Sequence, residues 1–398
     1  MRPGSVLIVG AGLAGSAAAW HLEGTGWRVT AVDPTASIPE SFLLQLDEAA
    51  QTMLSAIGAD HLVDRFSAPS PRVSMRWGKD EVRRTSFSSG DMRLAVRHQL
   101  VAGVREMIPD TVIRKIGRRV SALSHTATGV AATFDDGSRD SYDLVVGADG
   151  IGSTVRRLMF GPDQPYLYRN GLAHVWFKVR ARTPGDNAVI ASRDGVAWQI
   201  YPYPDPRTTL ALAAMEVPDD ARHDPGDLSA RCSQLIRELG HDLTAVADAV
   251  AAVGTPFISR FTQVRMPTWS TGRTVLIGDA AHCIDPLSGL GAHASLLDAS
   301  VLAHALQTQT DHHEAFDAYE ARVRPFVQAG QNATSRILEY VTTPHGVTRA
   351  STLRGALRDA ARLTPQLVRH HGRASITGRP PAPRPGIRST TTQPTPCA

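Results

Sequence analysis

The chain has 398 residues, of which 42% are hydrophobic and 20% charged, with a net charge of +4; this is a globular balance with room for two or three domains. The cations are almost all arginine, Lys79, Lys115 and Lys178 being the only lysines, and they are scattered among acids, which argues against a nucleic-acid-binding stripe. Cys232, Cys283 and Cys397 are too far apart for a zinc site and odd in number for a disulfide framework, and no run reaches ~18 apolar residues, so no membrane span and a reducing, cytoplasmic setting are expected.

The opening residues run directly into Val6-Leu7-Ile8-Val9, too short for a signal sequence and bounded by glycines, as a strand buried on both faces would be. An Ala-rich helix is expected from Leu13 to Glu23, stopped by Gly24 and Gly26, then a second strand over 27–33. Helical periodicity follows over about 41–66 and again over 92–107. Short strands are expected near Val120, over Val130–Phe134 and over 143–147, with a hairpin turn at Asp135-Asp136-Gly137. From about 166 to 265 alternating segments, including 172–179, 196–203 and 209–217, predict a mostly antiparallel sheet. Residues 274–277 return to the buried-strand type, a long helix runs from Leu287 to about Gln307, and further helices reach about 371. Beyond Gly372 the composition is that of a disordered tail.

Gly10-Ala11-Gly12-Leu13-Ala14-Gly15 falls where the first strand meets the first helix. Gly10 permits the tight turn, Gly12 lets backbone approach a pyrophosphate, and Gly15 lets helix and strand pack closely. The helix start offers unpaired N–H groups and about half a positive charge to phosphate. Asp33 ends the second strand, near the ~20-residue spacing at which an acid holds a ribose diol. These residues suit either NAD(P) or FAD.

Two more strands end in glycine and acid: Val146-Gly147-Ala148-Asp149-Gly150 and Ile277-Gly278-Asp279. Ligands of open α/β sheets lie beyond the carboxyl ends of strands, and carboxylates there suit hydroxyl groups such as a ribityl chain. The segment Gly278-Asp279-Ala280-Ala281-His282, followed by Pro286, Gly289-Leu290-Gly291 and Asp298-Ala299, resembles the third motif of the single-component flavoprotein aromatic hydroxylases. Residues 146–156 resemble that family's middle motif, and Arg97 with Leu100 its Arg-x-x-Leu helix, Arg93 being the other candidate.

The resemblance implies a para-hydroxybenzoate hydroxylase-like fold: a Rossmann-like α/β FAD-binding domain (1–70, 93–165 and 270–345), an inserted, mostly antiparallel β-sheet substrate domain (71–92 and 166–269), and C-terminal helices (346–371) before the tail (372–398). It implies FAD as cofactor, NAD(P)H as a transient reductant, and O2 delivered through a flavin C4a-hydroperoxide to an aromatic or hydrophobic small molecule, as in secondary metabolism, by a monomer or homodimer. Cofactor contacts would come from the Gly10, Gly12, Leu13, Ala14, Gly15 turn, Asp33, Arg97, Asp149 near the pyrophosphate and visiting nicotinamide, Gly150, Gly278, Asp279 on the ribityl chain, and the loop of Pro286, Gly289, Leu290 and Gly291 beside the flavin ring. Pro286 and His293, which stands where many members have asparagine, are the candidate catalytic positions; His293 is read as a proton carrier or as structural support, and His282 and Cys283 as packing residues. Asp33-Pro34 departs from the Glu-Arg of many members. Trp176, Trp198, Tyr201, Tyr203 and Met215 are candidate substrate-pocket walls, with 42–46 another.

Rival readings are a flavin-dependent halogenase, an FAD-dependent reductase or dehydrogenase on a hydrophobic substrate, and a catalytically silent FAD-binding regulator. The halogenase reading needs a Trp-x-Trp-x-Ile-Pro element and a nearby lysine; Trp198-Gln199-Ile200 lacks the first tryptophan and the proline.

Overall fold

The computed structural model describes residues 2–342 apart from 41, 78–82, 89, 206, 218–224 and 261–262. The expected helices over 346–371 and the tail over 372–398 lie outside the described residues. No described helix is long and apolar enough to cross a membrane.

A six-stranded sheet forms the centre, in the order Ser270–Thr271, Thr274–Leu276, Leu144–Gly147, Ser5–Val9, Arg28–Asp33, Ile113–Ile116. All but the first of these are parallel: Val9 lies opposite Gly147 and Val32, and Gly147 opposite Leu276. Helices and a three-stranded antiparallel sheet (Val120–His125, Val130–Phe134 and Arg139–Tyr142) share its core, and Val6, Leu7 and Ile8 are completely buried, as their unbroken apolar run demands. The helices Leu13–Gly24 and Gly291–Thr308 pack together against this sheet.

A seven-stranded sheet carries the second core, in the order Phe257–Ser259, Ala173–Val179, Thr209–Met215, Val196–Pro202, Ala188–Arg193, Val73–Trp77, Arg83–Phe87. Its strands are antiparallel except for the pairing of Ala188–Arg193 with Val73–Trp77. Two helices that the sequence reading missed, Pro225–Glu238 and Thr244–Ala251, lie on one face of it.

Two helical expectations are corrected near the N-terminal half. Residues 92–107 split into a strand, Arg93–Val96, and a helix, Arg97–Glu106; residues 41–66 split into a strand, Leu43–Leu46, and the helices Glu48–Ala56 and Asp60–Phe66. The two short strands pair with each other, Leu43 opposite Val96, so a tertiary partner overrides the local periodicity. The long helix expected from Leu287 begins at Gly291, after a single 3₁₀ turn over Pro286–Ser288, and a longer helix, His312–Thr342, follows it.

Candidate active site

The strands Ser5–Val9, Arg28–Asp33 and Leu144–Gly147 end around one cleft of about 340 Å³, which Gly10, Gly12, Asp33, Arg97, Asp149 and Gly150 all line. Gly10 adopts φ +102°, and a Cβ there would lie 2.4 Å from the Ala148 carbonyl oxygen. A Cβ on Gly15 would lie 1.9 Å from the Gly10 carbonyl oxygen, so helix and turn touch backbone to backbone. Around Gly12 nothing lies within 4 Å of such a Cβ, which leaves bare backbone facing the cleft at the start of the helix. This is the cradle a dinucleotide pyrophosphate requires. Leu13 and Ala14 bury their side chains in the core, so they can offer only backbone N–H groups.

Asp33 stands at the cleft but also braces it: its carboxylate accepts from the N–H of Ala11 and of Thr35, each at 2.7 Å. Arg105, absent from the sequence reading, donates to the carbonyls of Ala11 at 2.9 Å and Thr35 at 2.7 Å and lies 3.3 Å from Asp33. It follows Arg97 by eight residues on one helix, a spacing that puts both guanidinium groups on the cleft side. Arg93, the other candidate for the helix motif, instead bonds Ser67.

Asp149 lines the cleft beside the glycine cradle with its carboxylate already engaged. Its carboxylate is taken up capping the helix Thr154–Phe160, accepting from Ser153 Oγ at 2.5 Å and from the N–H of Thr154 at 2.6 Å and Val155 at 3.2 Å. A carboxylate so engaged shapes the cleft wall rather than reaching for a ligand. Arg156, at the end of the same motif, is completely buried and donates to the carbonyls of Ala280 at 2.8 Å and Ile151 at 2.6 Å, tying the middle motif to the third.

The strand Thr274–Leu276 leads to a second cavity of about 210 Å³, lined by Arg97 and Asp279, by Pro286, Gly289 and Gly291, and by Phe42, Trp176 and Tyr201. Arg97 lines both cavities, so they adjoin at its side chain. Gly278 takes φ +60° to turn the chain there. Burial pushes the Asp279 carboxyl above the usual carboxylate range, while the Arg97 and His282 charges pull it back. Gly289 takes φ +68°, a left-handed conformation that favours glycine, and a Cβ on it would lie 2.1 Å from Gln45 Oε1, so the end of that side chain would have to move. Leu290 packs against Gly330 rather than lining the cavity.

Strand alternation divides the candidate wall residues. Trp176, Tyr201, Leu210 and Leu212 face the cavity, and Phe42 stacks on Trp176 at 4.0 Å with 17° between ring planes. Trp198 and Met215, of opposite parity, face the other way: both lie in the core beneath the two helices, where Met215 Sδ is 3.7 Å from Cys232 Sγ. Tyr203 lies past the strand end, outside the cavity lining, with Lys178 Nζ 4.6 Å from its ring centre. These three positions are corrected from pocket wall to core or rim.

Of the two readings of His293, its contacts fit structural support. It is 3% exposed, bonds Asp47 Oδ2 through Nδ1 at 2.7 Å, stacks on Phe326 at 4.4 Å and lines neither cavity, so it holds the long helix to the 41–66 region. His282 bonds Asp298 at 2.8 Å beside Trp269, a packing role, while Cys283 lines the second cavity with its thiol pushed well up by burial. A buried pair that no motif announced lies alongside: His174 Nε2 is 3.3 Å from Asp285 Oδ1, both side chains fully enclosed, joining the sheet to the 286–291 loop.

Comparison with known proteins agrees with this arrangement. Residues 4–334 match the family model described as an FAD binding domain. A flavin-dependent monooxygenase of Legionella longbeachae is 25% identical over 350 residues, covering 82% of this chain and 86% of the relative. The 6-hydroxynicotinate 3-monooxygenase of Pseudomonas fluorescens is 28% identical over 342 residues, covering 79% and 86%. In fold, the chain is similar to Klebsiella pneumoniae HpxO complexed with FAD and uric acid, with TM-score 0.71, 21% identity, and coverage of 92% and 95%. It is likewise similar to Pseudomonas aeruginosa PqsL in complex with 2-aminobenzoylacetate, with TM-score 0.71, 21% identity, and coverage of 91% and 99%. The glycine cradle, the paired cavities and these relatives agree, and the chain belongs to the FAD-binding flavoprotein monooxygenases of the aromatic hydroxylase family.

Proposed function

We propose that this protein uses NAD(P)H and O2 to hydroxylate or epoxidise an aromatic or other electron-rich small molecule, in the tailoring of secondary metabolites. The observation that carries the reading is the meeting of two different cavities at Arg97: a polar cleft with a glycine cradle, and an apolar chamber walled by Trp176, Tyr201, Leu210 and Leu212. One elongated nucleotide can have its phosphates in the first and its redox ring at the mouth of the second.

FAD, when bound, supplies hydride acceptance and oxygen activation. The chain's residues bind, orient and exclude water. The helix starting at Leu13 presents N–H groups to phosphate, and Arg97 adds positive charge between the two cavities. Asp279 is placed to accept from hydroxyl groups at the junction. The helix starting at Gly291 directs its positive end at the apolar chamber, favouring negative charge that develops there. Pro286 and Gly289 keep that lining compact, and the leucine and aromatic walls keep water from the reacting centre. No triad is needed, and His293 takes no part in proton transfer because Asp47 and Phe326 enclose it.

The test is direct. Purified protein should show an oxidised-flavin absorption spectrum and should consume NAD(P)H faster when phenols, indoles or polyketide aromatics are supplied. Product formed under ¹⁸O₂ should carry the label. Substrate-stimulated NAD(P)H oxidation without any label in product would replace this reading with a reductase.

A further inference from the structure

The apolar chamber has a charge pattern that narrows its substrate. Among its described lining residues Arg97 is the single cation, and its charge is coupled to that of Asp279 at the junction with the nucleotide cleft. Away from that junction, the polar side chains are neutral. Gln199 donates to the Leu287 carbonyl at 3.0 Å, and Gln45 donates to the Tyr201 hydroxyl at 3.1 Å. The Tyr201 hydroxyl is pushed up to about 12 by burial, so it stays protonated and keeps its own hydrogen to donate. The two lysines in the described structure, Lys115 and Lys178, lie elsewhere, over the rings of Phe134 and Tyr203.

Resting on the monooxygenase reading, we propose that the chamber selects an uncharged, flat ring system carrying a hydroxyl or carbonyl group, and rejects carboxylated aromatics of the same size. A carboxylate held among Trp176, Leu210 and Leu212, away from Arg97 and the helix start at Gly291, would lose its water and find no cation in that part of the wall to replace it. A neutral ring instead lies against Trp176, Leu210 and Leu212, with its oxygen within reach of the Gln45 and Tyr201 pair. Selectivity of this kind works by exclusion: the wall lacks the partner that an anion needs.

The experiment uses 6-hydroxy-2-naphthamide and 6-hydroxy-2-naphthoate, which share size and shape and differ in charge at pH 7.5. Equilibrium dialysis against the full-length holoenzyme reads binding without requiring turnover. The amide is expected to bind at least ~100-fold more tightly, and Leu212→Arg should cut that preference by ~10-fold or more by adding the missing cation. Equal affinities, tighter binding of the carboxylate, or binding of neither compound at millimolar concentration each overturn the proposal, whether or not Leu212→Arg folds. A colourless preparation that still discriminates between the two sinks the flavin reading alone; a yellow protein that binds both alike sinks this inference alone.

Discussion

Replacing Trp198 and Trp176 separately by alanine tests the assignment of the two sheet faces. Trp198 is 1% exposed and sits between the seven-stranded sheet and the helices Pro225–Glu238 and Thr244–Ala251. Truncation removes an indole from a closed core, and such changes cost about 3–5 kcal/mol. For a unit of 150–250 residues each kcal/mol shifts Tm by about 2–4 °C, so Trp198→Ala should melt roughly 6–20 °C below the parent. Trp176 faces the cavity with Phe42 stacked on it. Its loss removes an aromatic pair worth about 0.5–1.5 kcal/mol and one wall of the chamber. Trp176→Ala should therefore melt within about 5 °C of the parent while weakening binding of 6-hydroxy-2-naphthamide roughly tenfold. Thermal melts by circular dichroism, with dialysis below the transition, read both quantities. If Trp198→Ala keeps the parental Tm and loses ligand, the two faces have been assigned the wrong way round.

Gly15→Ala should abolish retention of FAD through purification, because its Cβ lands 1.9 Å from the Gly10 carbonyl oxygen and the turn must open; a normal flavin-to-protein absorbance ratio would refute this. Asp279→Asn should leave the apoprotein as stable as the parent or more so at pH 8, yet weaken FAD about tenfold. The raised carboxyl holds its proton more tightly when folded, so its cost grows as pH rises through the unfolded value near ~3.9, and the amide removes that cost. Urea melts of apoprotein and a flavin-fluorescence titration check the two halves. Burial opposes ionisation of Asp47, but the His293 hydrogen bond and charge, with the Ala50 N–H, outweigh it and hold the carboxyl below its usual range. That contribution is complete above ~3.9 and is lost as pH falls through the lower folded value. His293→Ala should lower Tm at pH 6 and flatten its decline below pH 4 while leaving flavin content intact; a full flavin content with abolished turnover would restore a catalytic role to His293.

The three strand ends were legible because a strand buried on both faces must be apolar throughout, so the glycine and acid that end it stand out. Alternation in the second sheet was equally plain. What it could not say is which face looked toward the flavin side. That depended on the helices Pro225–Glu238 and Thr244–Ala251, whose signal was present in the spacing of Leu228, Cys232, Ile236 and Leu239. With one face covered, Trp198 and Met215 belong to the core. Arg93-Leu94-Ala95-Val96 read as helix because its neighbour Leu43–Leu46 is some fifty residues away, and the His174 and Asp285 pair is separated by more than a hundred residues. Contacts at such range leave no mark in a local pattern.

The strand order of the central sheet also sets a timetable for biosynthesis. Ser5–Val9 leaves the ribosome before Leu144–Gly147, which pairs beside it, and the next strand, Thr274–Leu276, begins some 127 residues after Gly147. At about 5–20 residues per second that is a delay of roughly 6–25 s. During it, the backbone edge of Leu144–Gly147 stays open and the third wall of the flavin cleft is missing. Productive cofactor capture therefore waits for Thr274–Leu276, and until that strand arrives the edge of Leu144–Gly147 is open to unwanted pairing.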